Sequence, residues 1–415
     1  MGIALSSNGY KKTDAGIIPE DWDARPLADF CSTYSGGTPS TSRPDYYGGD
    51  IPWISSGDLN QGIIEDVNGR ITAVGLKNSS AKMVEAETLL IALYGATAGV
   101  PAITKVAGAI NQAVLAIKPR TADTTYLYSW FKHNKDRIID TYTQGGQPNL
   151  SGEIVRKIVV PLPDESEQHR ISNNLNDVTA LISTIERLIT KKQSIKQGMM
   201  QRLLTGKARL PGFDTPWSEV ALEDLAQIVS GGTPKSSVTE YWDGGIPWCT
   251  PTDITRENSR FLRTTERTIS KAGLERSSAQ LLPAGSLLLC TRATIGEIKI
   301  AAGPISTNQG FKSLIPKRGV SSEYLYYKVL TLKEDLAGLG TGSTFLEVSK
   351  RDVARLRFLA PDSEEQKSIA SVLADADDEL DALQEQLGKI RAIKQGMMQE
   401  LLTGRTRLLA EDVSA

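Results

Sequence analysis

Two hydrophobic patterns alternate along this chain. Residues 1–163 and 208–361 carry short apolar or β-branched runs, among them LLIALYG (Leu89–Gly95), AVLAIKP (Ala113–Pro119), IVRKIVVPL (Ile154–Leu162) and SLLLCTR (Ser286–Arg292), broken by Gly, Pro, Asn and Ser. Runs of this length with this punctuation predict strands, and so two mixed, strand-rich domains. Residues 164–207 and 362–405 contain no proline and read as helix. Ile171, Leu175, Val178, Ile182, Ile185 and Ile189 advance by alternating steps of four and three, and Ile369, Leu373, Ala376, Leu380, Leu383, Leu387 and Ile390 do the same in the same phase. A stripe with a mean period of about 3.5 is the seam of a coiled coil, although a long amphipathic helix packed on its own domain has the same signature. The expected division is therefore a domain over 1–163, a helix over 164–207, a second domain over 208–361, a second helix over 362–405 and a tail over 406–415.

The patterns match because the chain is internally repeated. IKQGMMQRLLTG (Ile195–Gly206) returns as IKQGMMQELLTG (Ile393–Gly404), with Arg202 replaced by Glu400 as the one change. Ser35, Gly36, Gly37, Thr38, Pro39, Ile51, Pro52 and Trp53 return as Ser230, Gly231, Gly232, Thr233, Pro234, Ile246, Pro247 and Trp248. Asn111 and Gln112 return as Asn308 and Gln309, and PDESEQ (Pro163–Gln168) returns as PDSEEQ (Pro361–Gln366). The repeat is far too long for a solenoid. Between these anchors the halves diverge, so one scaffold appears twice with different loops on it.

Composition excludes more than it selects. Of the 415 residues 40% are hydrophobic and 23% charged, which is ordinary for a globular protein of two or three domains. No apolar run approaches the roughly 18 residues of a membrane span, and the N-terminus lacks a long apolar core, so a cytoplasmic location without membrane contact is expected. Cys31, Cys249 and Cys290 are too few and too scattered for a disulfide framework or a zinc site. There is no Walker motif, no HExxH and no NPPY or DPPY tetrapeptide, and the two histidines, His133 and His169, are not duplicated. GLGTGS (Gly338–Ser343) lacks the strand-loop-helix setting of a phosphate loop. A binding protein is expected rather than an enzyme.

Charge adds an orientation. The net charge is −1 over residues 1–163, +2 over 164–207, +3 over 208–361 and −6 over 362–415. The second helix begins with DADDELD (Asp375–Asp381), whereas the first carries Lys191, Lys192 and Lys196 near its end. Antiparallel packing sets these beside each other; exposed ion pairs of about 0–1 kcal/mol choose an orientation without driving assembly. Two such helices, each spanning roughly 50 Å at about 1.5 Å per residue, predict two similar domains related by an approximate two-fold axis. Two readers so disposed suit duplex DNA read at two half-sites.

The ordered set GYKKTDAGIIPEDW, SGGTPSTSRPDYYGGDIPWISSGDL, TRATIGEIKIA with STNQG, PDSEEQKSIASVLADAD and the two KQGMMQ helix endings resembles the specificity subunit of type I restriction-modification systems, over essentially the whole chain. The resemblance implies an α+β fold in which two target recognition domains are separated by two long antiparallel helices forming a coiled coil with internal pseudo-two-fold symmetry. It implies that each domain reads one half of a bipartite, asymmetric site in double-stranded DNA, and that the helices set the spacer and dock two methyltransferase (modification) subunits, with restriction subunits joining them. S-adenosylmethionine, ATP and Mg are then expected on the partner subunits and no cofactor on this chain. An autonomous methyltransferase or nuclease, and a coiled-coil scaffold that binds only proteins, are the alternatives.

If the halves read different sequences, the shared residues should be scaffold or phosphate contacts and the unshared ones should read bases. Ser35, Gly36, Gly37 and Thr38, with Ser230, Gly231, Gly232 and Thr233, suit either phosphate contacts or a turn. Asn111, Gln112, Asn308 and Gln309 suit adenine, phosphate or local capping. Trp53 and Trp248 are expected in cores. Arg256, Arg260, Arg263, Arg267, Arg276 and Arg292 are candidate guanine or phosphate contacts in the second domain, unless they only solvate a surface. Lys77, Lys105, Gln144, Gln147 and Asn149 are their equivalents in the first. Met199, Met200, Leu203 and Leu204, with Met397, Met398, Leu401 and Leu402, are expected to dock an identical partner at each copy, with completion of the helix core as the alternative.

Overall fold

The computed structural model describes residues 9–142, 149–340 and 346–408. They fall into two compact units, Met1–Thr184 with Leu387–Ala415, and Ile185–Gln386. The candidates Gln144 and Gln147, and Thr341–Ser343 of GLGTGS, lie outside the described residues.

Unit 1 is built on a five-stranded sheet in the order Cys31–Ser35, Val114–Pro119, Thr88–Ala92, Pro101–Thr104, Ile63–Ile64, antiparallel except for the parallel last pair. A second sheet runs Arg70–Ile71, Tyr47–Ile54, Gly108–Ile110, Lys82–Val84. The helix Thr124–Tyr142 covers the first sheet, placing Trp130 and Phe131 in its core beside Leu89, Ile91, Leu115 and Ile117.

Unit 2 repeats this topology. Its five-stranded sheet runs Ala226–Ser230, Lys312–Pro316, Leu287–Leu289, Ile298–Ala301, Phe261–Leu262, again with one parallel pair at the same end. Its second sheet keeps three strands, Arg267–Ile269, Trp242–Cys249 and Ser306–Thr307. Tyr324, Leu325 and Tyr327 of the helix Ser322–Thr331 fill the core. The repetition seen in the sequence is thus a repetition of fold, and the α+β class follows from it.

Two helices of 39 residues, Glu165–Leu203 and Ser363–Leu401, are shared between the units. Each starts on an aspartate N-cap: Asp164 Oδ1 accepts from the Glu167 amide at 2.8 Å, and Asp362 Oδ1 from the Glu365 amide at 3.0 Å. Each ends on a left-handed glycine, Gly206 (φ 73°) and Gly404 (φ 70°), the conformation that closes a helix C-terminus. Within unit 1 the start of the first helix and the end of the second share one core, since Ile171, Leu175, Leu401 and Leu402 are all buried in it. Within unit 2 the roles exchange, with Ile369 and Leu373 beside Met200, Leu203 and Leu204. The two helices therefore run antiparallel in each unit, as the charge pattern predicts. Lys192 pairs with Glu379 at 2.6 Å, and Lys196 pairs with Asp377. The predicted stripe is buried or half-buried throughout, and its first residues lie in the domain cores.

Candidate nucleic-acid interface

The methionines and leucines of the doubled twelve-residue segment have a different role from the docking expected of them. Met200, Leu203 and Leu204 are buried in the core of unit 2, and Leu401 and Leu402 in the core of unit 1, with Met199, Met397 and Met398 packed against the same cores. These residues close each domain rather than offer a surface. The glycine that follows packs on a tryptophan: a Cβ on Gly206 would lie 3.3 Å from the Trp217 ring, and one on Gly404 would meet Pro19 at 2.5 Å and Trp22 at 3.2 Å. Uncovered on the same stretch are Ile195 and Ile393, 47% and 56% exposed, and one turn further on Gly198 and Gly396, where a Cβ would meet nothing within 4 Å.

Beyond each glycine an arginine completes a latch. In unit 1 Glu167 is fully buried; it accepts from Trp22 Nε1–H at 3.1 Å and from Arg407 Nε and Nη2, both at 2.8 Å. The same guanidinium donates to both oxygens of Asp21 at 2.8 Å, and this hydrogen bonding holds the Asp21 carboxyl below its ordinary pKa. In unit 2 Glu365, also fully buried, accepts from Trp217 Nε1–H at 2.9 Å and from Arg209 at 2.6 and 2.7 Å. Bidentate arginine and indole together satisfy a carboxylate whose burial would otherwise be costly. Sequence reading missed this latch. Its signal was present in the paired Glu167/Glu365, Trp22/Trp217 and Arg209/Arg407.

The shared turns are alike in both units except at their first glycine, where Gly231 N–H donates to Phe311 O at 3.3 Å. Gly36 N–H donates to Asn111 O at 3.3 Å and Gly37 N–H to Ile110 O at 3.1 Å, while Gly232 N–H donates to Thr307 O at 2.9 Å. The approach is close enough to exclude side chains: a Cβ on Gly36 would sit 1.8 Å from Ile110 O, and one on Gly231 1.9 Å from Asn308 O. Ser35 and Ser230 end the strands that lead into these turns. Trp248 is buried and donates through Nε1 to Gly232 O at 3.0 Å; Trp53 is half-buried, edge-on to Tyr47.

The candidate base-reading residues separate into three groups. Arg263 and Lys77 are exposed and make no ion pair among the described residues. Arg267 lies flat over Trp242, with 3.7 Å from its guanidinium carbon to the ring centroid, an exposed cation on an aromatic shelf. Arg256, Arg276 and Lys105 are exposed but paired, with Glu266 at 3.0 Å, Glu240 at 3.6 Å and Glu87 at 2.9 Å, and Arg292 lies 3.7 Å from Glu347. Asn149 is exposed and bridges to Tyr94. Arg260 is a correction. Its side chain is 11% exposed and held by Asp378 at 2.6 Å and Glu323 at 3.3 Å, so its guanidinium ties the loop to the second long helix and faces no open groove.

Two copies of one scaffold with unlike polar loops define a two-module recognition protein. The family model for the type I restriction modification DNA specificity domain matches twice, over residues 19–197 and 215–394, and the chain belongs to that family. The Methanocaldococcus jannaschii type I restriction enzyme MjaIX specificity subunit is 40% identical over 164 residues, an alignment covering 39% of this chain and 38% of that protein. The putative MjaX specificity subunit of the same organism is 25% identical over 427 residues, covering 96% and 97%. A chain from a structure titled for complex assembly and conformational transition of the type I R-M system superimposes with a TM-score of 0.62 at 19% identity, covering 94% of this chain and 99% of that one. Among the described residues no helix is long and apolar enough to cross a membrane.

Proposed function

We propose that this chain is the DNA-recognition and assembly subunit of a type I restriction-modification complex and is not itself a catalyst. Each recognition domain reads one half of a bipartite site, and the long helices set the spacer. The observation that carries this reading is the pairing of two equivalent scaffolds with unlike loops, which suits two different half-sites better than a palindrome. In the second domain Arg263 and the shelf-mounted Arg267 are the residues we assign to base edges or flanking phosphates. Two modification subunits dock on the long helices. The exposed Ile195/Gly198 and Ile393/Gly396 faces support such docking, since an apolar side chain beside a bare glycine admits a close-packed partner helix. Restriction subunits join that core, and S-adenosylmethionine, ATP and Mg belong to the partners.

Sequencing the methylated sites of a host carrying the complete system tests the reading. A bipartite asymmetric motif is expected, and Arg263→Ala with Arg267→Ala should relax one half only. A continuous motif, or relaxation of both halves, would overturn it.

A further inference from the structure

The two turns at Asn111–Gln112 and Asn308–Gln309 share an arrangement of hydrogen bonds while the loops around them differ. Thr38 Oγ1 donates to Gln112 Oε1 at 2.5 Å, and Thr233 Oγ1 donates to Gln309 Oε1. Asn111 Oδ1 accepts from the Ala113 amide at 3.0 Å, and Asn308 Oδ1 from the Gly310 amide at 2.8 Å. Each of the four amide oxygens therefore accepts a hydrogen bond inside its turn, and among the described residues the amide nitrogens have no acceptor. Gln112 and Gln309 are exposed, whereas Asn111 and Asn308 are half-buried behind them.

Reading adenine in the major groove takes a donor and an acceptor from one amide together. With its oxygen turned to a threonine hydroxyl, which takes one of its two lone pairs, the glutamine keeps both Nε2–H donors for an acceptor. The acceptors that a duplex presents at every step, whatever its sequence, are phosphate oxygens. Identical donors on two domains with unlike loops fit a contact that both half-sites provide alike.

We propose that Gln112 with Asn111, and Gln309 with Asn308, each clamp one backbone phosphate of duplex DNA as a sequence-neutral contact, one in each recognition domain. The proposal rests on the DNA-recognition reading above. It also removes Thr38 and Thr233 as phosphate donors, because their hydroxyls orient the glutamines.

The test uses the full chain assembled with its modification subunits, Gln112→Ala, Gln309→Ala and the double variant. Affinity is measured for a duplex carrying the methylated motif and for a scrambled duplex. Each single variant should weaken both duplexes by the same factor, roughly tenfold or more for one hydrogen bond to a charged acceptor. The double variant should show the product of the two factors. The salt slope should not change, since a neutral amide releases no counterion, and the methylated motif should stay the same. A methylphosphonate scan should find one position in each half-site that weakens wild type but costs the matching variant nothing further. Relaxation of one base in the motif, unchanged affinity for both duplexes, or a scan without such a position would overturn the proposal. Wild-type complex that fails to distinguish motif from scrambled duplex would instead overturn the recognition reading on which it rests.

Discussion

The two units share a latch and differ further along the long helices. Trp22, Glu167 and Arg407 in unit 1 have the same arrangement as Trp217, Glu365 and Arg209 in unit 2. Further along the same helices, unit 2 carries an ionic cluster. Lys196 pairs with Asp377, which also accepts from the Tyr327 hydroxyl at 2.6 Å, and Arg260 bridges Asp378 and Glu323. The matching positions of unit 1 are Thr179 for Asp377, Ala180 for Asp378, Ser129 for Tyr327, Gly62 for Arg260 and Thr125 for Glu323. Of this set only the lysine persists, as Lys394. It is half-buried, and burial first, then the nearby charge of Lys132, lowers its pKa. What closes a core is repeated residue for residue, because a buried carboxylate admits few solutions. Partly exposed charges, individually weak, are free to differ.

The latch offers the largest effect. Arg407→Met strands the buried Glu167 and should cost about 3–5 kcal/mol. Hydrogen exchange on the full chain should show lost protection across unit 1 and none across unit 2, and Arg209→Met should do the reverse. Equal loss in both units would mean that the latches are not local. Next comes the repeated segment. Leu402→Ala and Leu204→Ala should each destabilise their own unit by about 2–5 kcal/mol, as core truncations do, whereas a docking role would leave urea unfolding of the isolated chain unchanged.

The lysine pair sharpens the comparison because the signs differ. Lys196→Met leaves Asp377 without its cation and should weaken unit 2 by roughly 1–2 kcal/mol. Lys394→Met removes a charge with no partner among the described residues and should stabilise unit 1 by about 0.5 kcal/mol, allowing for its partial exposure. Because the Lys394 pKa is lower in the folded chain than in the unfolded one, the unfolded state holds more protons between those two values. Unit 1 therefore gains stability as pH rises through the folded pKa toward the ordinary lysine value of 10.5. The Met variant should lose that gain when unfolding is followed against pH. Smallest in stability are Ile195→Asp and Ile393→Asp, each expected within about 0.5 kcal/mol by thermal unfolding. Each should nonetheless reduce the number of bound modification subunits from two to one in native mass spectrometry. Two subunits retained by both variants would place docking elsewhere.

Much of this was legible in the chain alone. The doubled anchors predict a doubled fold, the four-and-three spacing predicts the long helices, and Asp164, Asp362, Gly206 and Gly404 mark their ends. DADDELD against Lys192 and Lys196 predicts their orientation, although unit 2 alone supplies those charges. The methionines and leucines of the twelve-residue repeat read as a docking face in the sequence because an apolar stripe looks the same whether its own domain or another chain covers it. Arg260 looked like its neighbours Arg263 and Arg267 because its partners, Glu323 and Asp378, lie 63 and 118 residues away.

By itself, then, the sequence determined what depends on short-range periodicity and on repetition: element types, helix limits and the presence of two equivalent scaffolds. Tertiary structure alone decided which apolar faces are covered and which charges are paired. Those outcomes depend on residues such as 22, 167 and 407 meeting in space, and chain connectivity places no constraint on that until the core has closed around them.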